Sequence, residues 1–333
     1  MNRRTLLASL IGVTLVLSFV VGCGAVPTAT PIPPTPTPIP PTTLPVSTQP
    51  PNWMTIWGTS SSDLFLAGFE GDPNALYAPH PARVAHYDGN AWSPMSIPAA
   101  NQIWVDWGSS GSDVFIPGMG GIILHYDGSA WSTMESGTDK ILGGVWGSSG
   151  SDVFVTGEGG TILHYDGSAW SPMQSGTDKF LNTDWGSSGS DVFVVGEGGT
   201  ILHYDGRSWS PMTSGTQAWL ISVWGSSGSD VFAVGAMGTI LHYDGNAWSP
   251  MESGLRSDLL PVWGSSGSDV FAAGPGGVIM HYDGKAWSTM DSGTAHQLEG
   301  LWGTSGSDVY AVGWNNTVLH YDGSAWSPMI PSP

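Results

Sequence analysis

Seven histidines stand in phase along the chain, each opening a His-Tyr-Asp-Gly tetrapeptide: His86, His125, His164, His203, His242, His281 and His320, every spacing being 39 residues. Seven aspartates accompany them, at Asp63, Asp113, Asp152, Asp191, Asp230, Asp269 and Asp308. Imidazole and carboxylate together suit proton transfer, and both can ligate a metal. The repetition argues against either use. A group that returns once per repeat is spread around an assembly instead of being gathered in one pocket. The expectation is therefore a structural hydrogen bond to each histidine, with the aspartates capping turns.

Other chemistries are weaker still. Inverting glycoside hydrolysis needs two carboxylates about 6.5–9.5 Å apart. Glu158 and Glu197, with Asp139 or Asp178, could supply them. Yet Glu158 and Glu197 occupy equivalent places in neighbouring, near-identical repeats, which is the mark of duplication and not of two tuned roles. No HExxH, paired-cysteine or EF-hand spacing is present, and no GxSxG elbow. The Gly-Ser-Ser-Gly-Ser runs lack the lysine and helix of a phosphate loop. No catalytic residue, metal or cofactor is expected, and a binding module is preferred to an enzyme.

The elements that carry these residues follow from the repeats. A second signature, Trp-Gly-Ser/Thr-Ser, begins at Trp57, Trp107, Trp146, Trp185, Trp224, Trp263 and Trp302, with a first spacing of 50 and the rest 39. There are thus seven units, and the first holds 11 extra residues between its two signatures. Within 138–176, four short stretches rich in β-formers are separated by turns, and Asp166-Gly167 is a strong hairpin signal. Four strands in about 40 residues, repeated seven times, specify an all-β chain: a seven-bladed β-propeller with four antiparallel strands per blade. The expected blades are 52–98, 99–137, 138–176, 177–215, 216–254, 255–293 and 294–333. Composition agrees, since 48 Gly and 25 Pro with 11% charged residues disfavour helical bundles. Seven of the 18 tryptophans open the Trp-Gly motif and seven more sit before a serine, which points to packing between blades.

The run Gly-x-Gly-Gly-Thr-Ile-Leu-His-Tyr-Asp-Gly-x-x-Trp at 157–170 resembles the BNR-like repeats of photosystem II assembly factors and of many bacterial propellers. Gly-Gly followed by Tyr-Asp and then Trp is also similar to kelch repeats, though shortened. The chain departs from the sialidase Asp-box, whose Asp-to-Trp spacing is five, because Asp166 and Trp170 are four apart. Nor can it gather the three arginines of that family. Without Arg3 and Arg4, only Arg83, Arg207 and Arg256 remain, and Arg207 falls in a turn on the opposite face. The resemblance covers 52–333 and implies a propeller. Such repeats serve enzymes, receptors and assembly factors alike, so it assigns no activity.

Function should lie where the copies differ. The turns between strands one and two, and between three and four, are nearly uniform and share one face. The turns between strands two and three and those between blades share the other face, and they vary. That face is expected to hold the binding site. Its candidate residues are Glu158 and Glu197, Tyr77 and Arg83 of the first blade's insertion, His296, and the non-periodic Trp104, Trp219 and Trp314. Trp314 is expected to be exposed, and Trp104 and Trp219 to stand near the central channel. Side-chain packing alone is expected to close the ring.

The N-terminus carries an address. Arg3 and Arg4 precede an apolar stretch from Thr5 to Gly22, as in a secretory signal. Val20-Val21-Gly22-Cys23 resembles the lipobox of bacterial lipoproteins, which implies a signal peptide over 1–22, a lipidated Cys23 and anchoring to the cell membrane. An uncleaved membrane helix is the alternative, and both place the remainder outside the cytoplasm. Residues 23–51 read as a disordered Pro/Thr-rich linker in extended polyproline form. The net charge of −19 becomes −21 once Arg3 and Arg4 leave, which excludes ordinary nucleic-acid binding. The expected partner is a glycan, a peptide or an envelope protein, bound by a monomer. An assembly factor for a membrane complex is the alternative, as is a carbohydrate-active hydrolase.

Overall fold

A computed structural model describes residues 50–73 and 80–329. The signal segment, Cys23, almost all of the linker and Tyr77 lie outside the described residues. Seven four-stranded antiparallel sheets follow one another, each made of four consecutive strands. This is the expected seven-bladed propeller. In the third blade the strands are Leu142–Ser149, Asp152–Gly157, Ile162–Tyr165 and Trp170–Met173. The second strand, DVFVTG, is buried throughout after its first residue. A strand covered on both faces by neighbouring blades has no solvent side, so it reads as a continuous apolar run. The fourth strand buries most of Trp170 and exposes Ser171 and Pro172.

Two glycine positions show why the repeat keeps its sequence. A Cβ on Gly147 would lie 2.7 Å from Cη2 of Trp107 in the preceding blade. The same contact recurs at Gly108 with Trp57, Gly186 with Trp146, Gly225 with Trp185, Gly264 with Trp224 and Gly303 with Trp263. The five Trp-Gly pairs from Trp107-Gly108 to Trp263-Gly264 therefore serve two interfaces each: the tryptophan covers the next blade's glycine, and the glycine receives the previous blade's tryptophan. The second tryptophan set fills the outer half of the same seams. Phe154 meets Trp209 of the next blade edge-on at 6.1 Å and Tyr204 at 5.7 Å.

The turns between strands two and three are more ordered than simple turns. In blades two to six each forms one turn of 3-10 helix: Met119–Gly121, Glu158–Gly160, Glu197–Gly199, Ala236–Gly238 and Pro275–Gly277. The middle and last residues are left-handed, as at Gly159 (φ 66°) and Gly160 (φ 72°). A Cβ on Gly160 would come within 1.9 Å of the carbonyl oxygen of Thr177, in the linker to the next blade.

In blade seven Asn315 and Asn316 take the left-handed positions, with φ 56° and 58°. Asparagine tolerates that conformation better than most residues. The exchange closes the ring. Asn316 Oδ1 accepts the indole N–H of Trp53 at 2.8 Å. The backbone N–H of Asn316 donates to Pro51 O at 2.7 Å, and that of Asn315 to Asn52 Oδ1 at 3.2 Å. Closure by packing alone is thus corrected: among the described residues no strand crosses the seam, but these three hydrogen bonds add to the packing of Trp53, Ile56 and Leu64 beside Tyr310 and Val312. Two of the three copy internal bonds: Gly160 N–H donates to Lys179 O at 2.7 Å, and Met237 N–H donates to Asp258 Oδ1 at 2.8 Å. Among the described residues only the Trp53 indole bond to Asn316 is particular to the seam.

Candidate functional site

The repeated histidines and aspartates form one bond seven times over. Each histidine Nε2 stands 2.6–2.7 Å from its aspartate Oδ1. The other carboxylate oxygen accepts from the hydroxyl four residues earlier, such as Thr59 or Ser148. Each imidazole also lies against the aromatic ring of strand two, at 4.5–4.7 Å between centroids. The pairs are half-buried and one blade apart, so they brace the turn joining strands one and two. In the Tyr-Asp-Gly turns, Asp166 Oδ1 accepts from the Ser168 hydroxyl and from the N–H groups of Ser168 and Ala169. These bonds, the Ser168 hydroxyl foremost, pull its pKa down to about 2. Asp127 and Asp322, also followed by Gly-Ser, behave alike. This face is structural.

On the other face the candidates do not form one cluster. Glu158 is exposed, and its carboxylate accepts the Ile141 N–H at 3.3 Å. Glu197 is half-buried at the equivalent place one blade on. Neither lines the channel cavity. Arg83 lies on the third strand of blade one, Ala82–Tyr87, with Nε 2.5 Å from Glu70 Oε1. Its guanidinium is held within the blade. His296 is exposed, with Nδ1 2.9 Å from Thr317 Oγ1. Trp314 is half-buried, not exposed as expected. Its indole N–H is buried without a hydrogen-bond partner, on the side of Glu299, which accepts from Gln297 at 2.5 Å. Among the described residues the one exposed large apolar side chain is Met237, at 67%, which takes the left-handed position of its 3-10 turn with φ 58°.

The innermost strands bring a different set together. A cavity of about 170 Å³ lies on the axis and is lined by residues of all seven blades. The residue three before each Trp-Gly tryptophan contributes: Met54, Trp104, Gly143, Asn182, Ile221, Leu260 and Glu299. Not one repeats. Trp104 belongs to this row. Trp219 stands beside it, donating its indole N–H to Asn182 Oδ1 at 2.7 Å, with its ring 6.0 Å from that of Phe180. Strand one begins at the varied face, so the cavity belongs to that face.

Three carboxyl groups near the axis were not anticipated by comparing turns. Burial pushes Glu299 up to about 7, against the hydrogen bond that Gln297 donates at 2.5 Å. It pushes Asp106 up to about 7 as well, although the Thr55 hydroxyl donates to it at 2.5 Å. Asp184 is raised well above the ordinary value, again by burial, with Thr156 Oγ1 3.3 Å away. One oxygen of Asp106 and one of Asp184 are buried without a partner. The sequence did carry a signal. Asp106 and Asp184 directly precede a Trp-Gly tryptophan, where the other blades hold Ile56, Val145, Val223, Val262 and Leu301. Among the described residues no group of three or more His, Cys, Asp or Glu is placed to hold a metal ion.

No protein-family model matches the chain, and no curated protein matches it. Solved structures do. One of YCF48 bound to a D1 peptide superposes with a TM-score of 0.64 at 15% identity, over 82% of this chain and 92% of that one. YCF48 from Cyanidioschyzon merolae gives 0.62 at 14% identity, over 83% and 97%. Sqt1 of Chaetomium thermophilum gives 0.60 at 13% identity, over 83% and 97%. The likeness shows the fold. At such identities it carries no residue roles.

Proposed function

We propose that the chain is an extracytoplasmic, lipid-tethered recognition propeller that binds a peptide segment of a partner protein on the varied face, across the mouth of the channel. The observation that carries this is the inner row. Seven equivalent positions line one axis, the His-Tyr-Asp-Gly and Trp-Gly motifs repeat around it, and these seven residues are all different. A closed ring does not require that variety, and a single asymmetric ligand does. The peptide bound to YCF48 supports the same use of a propeller of this shape. The signal segment, Cys23 and the Pro/Thr-rich linker support the tether.

A peptide suits the surface better than a glycan. Sugars stack on exposed aromatic rings, whereas Trp104, Trp219 and Trp314 are each half-buried. The test is to pan a random peptide display library against the purified full-length chain. Enriched peptides should bind the wild type and lose affinity when Trp219→Ala is combined with Met237→Gly. They should bind unchanged when Asn90→Ala is made in an Asp-Gly hairpin of the other face. Enrichment insensitive to the varied face, or a library that yields nothing, would end this reading. A second reading, an assembly factor for a membrane complex, is favoured by the same likeness to YCF48. It predicts a specific complex in pull-downs from detergent-solubilised membranes.

A further inference from the structure

We infer that the axial cavity receives one cationic side chain of the bound peptide, lysine or arginine, with its stem along Trp104 and Phe180 and its charge at Glu299. This rests on the peptide-binding reading and names the residue at its centre.

Size sets the first limit. The cavity measures about 170 Å³. Pockets that enclose a drug-sized ligand run to roughly 300–1,000 Å³, while a core cavity of about 150 Å³ holds one benzene. One side chain fits. The walls set the second limit. Ile221, Leu260 and Phe180 are buried apolar groups, and Trp104 adds an aromatic ring. Such walls suit an alkyl stem, and an aromatic face attracts a cation.

Charge sets the third. Among the described residues, Glu299 is the one charged side chain lining the cavity, and no lysine or arginine does. The other polar groups are already engaged. Asn182 accepts from Trp219 and donates to the Ile221 carbonyl at 3.2 Å. The Thr183 hydroxyl donates to that same carbonyl at 3.2 Å, and the Thr55 hydroxyl is taken by Asp106. A carboxylate offers about four acceptor positions, and Glu299 accepts from Gln297 at 2.5 Å. It retains capacity that nothing else in the wall fills. A neutral apolar guest would leave that capacity unmet, and an acidic guest would be repelled. A cation meets it, and the net charge of −19 favours its approach.

The test uses the full-length chain and the peptides enriched by panning. These should share one lysine or arginine. Replacing it with norleucine should weaken binding at least tenfold in the wild type and less than twofold in Glu299→Gln. The norleucine peptide needs no protein variant, so that half of the measurement stands even if Glu299→Gln fails to fold. n-Butylammonium serves as the free-amine probe, followed by the Trp104 indole resonance. It should bind weakly and compete with the peptide. Enriched peptides that share no basic residue would overturn the inference while leaving peptide recognition intact. So would lysine peptides whose affinity ignores Glu299→Gln, or sub-millimolar binding of n-butylammonium with no basic peptide enriched.

Discussion

On one face of the wheel every blade presents the same Asp–His–hydroxyl bond and the same Asp-Gly hairpin. On the other, and along the strands that lead inward from it, equivalent positions hold methionine, tryptophan, glycine, asparagine, isoleucine, leucine and glutamate. The two regions belong to the same strands and differ in what surrounds them. A turn on the uniform face abuts the next blade. A Cβ on Gly150, for instance, would lie 1.9 Å from Oδ2 of Asp113 in the preceding blade. Blades two to seven keep glycine there, and blade one carries Ser61. An inner-row side chain borders an open axis, so its identity is free to follow a ligand. Repetition marks what the ring needs, and its failure marks what the ring presents.

The contrast can be broken first at the seam, where the largest effect is expected. Trp53→Ala removes a buried ring and the indole bond to Asn316, and should lower stability by about 3–5 kcal/mol in urea unfolding. His164→Ala on the uniform face strands Asp152 and should cost about 1–3 kcal/mol, with peptide affinity unchanged. Loss of affinity in folded His164→Ala would erase the division between the faces.

The inner carboxyls sharpen the comparison through pH. Burial raises the folded-state pKa of Asp106 from 3.8 to about 7. A raised acid favours the protonated folded state. Its stabilising contribution is complete below about pH 4 and disappears as pH climbs through about 7. Asp106→Asn should therefore leave stability at pH 4 nearly unchanged and raise it by about 1–3 kcal/mol at pH 8. The carboxylates of the Tyr-Asp-Gly turns have the opposite sign. Asp166, held at about 2, helps the fold above the ordinary carboxylate range and ceases to help as pH falls toward 2. Urea midpoints of the variants at pH 4 and pH 8 separate the two classes.

The smallest effect belongs to the turn glutamates. Glu158→Gln with Glu197→Gln should change stability by less than about 0.5 kcal/mol and peptide affinity hardly at all. Polysaccharide turnover that disappears in this double variant would move the function from the axis to the turns.

The blade count, the strand order and the structural role of the histidines were legible because 39-residue spacing repeats through six intervals. The direction in which Trp314 points was not. A residue in a variable turn reads as exposed, whereas in the fold its ring is half-buried beside Gln297 and Glu299. The seam was half legible. The described strands divide into seven sets of four, as the repeats imply, whereas Asn315 and Asn316 read as ordinary turn variants until the fold set them against Pro51, Asn52 and Trp53. The inner row could have been read from the sequence by aligning strand one on its tryptophan. Comparing turns alone passed over Asp106, Asp184 and Glu299.

The central claim is that variety in the repeats marks the binding surface, and hydrogen exchange tests it most directly. The full-length chain is labelled with and without an enriched peptide. Protection is expected at the starts of the innermost strands, around Met54, Trp104, Asn182 and Glu299, and in the 3-10 turns. Protection confined to the Gly-Ser-Ser-Gly-Ser turns and Asp-Gly hairpins would contradict it.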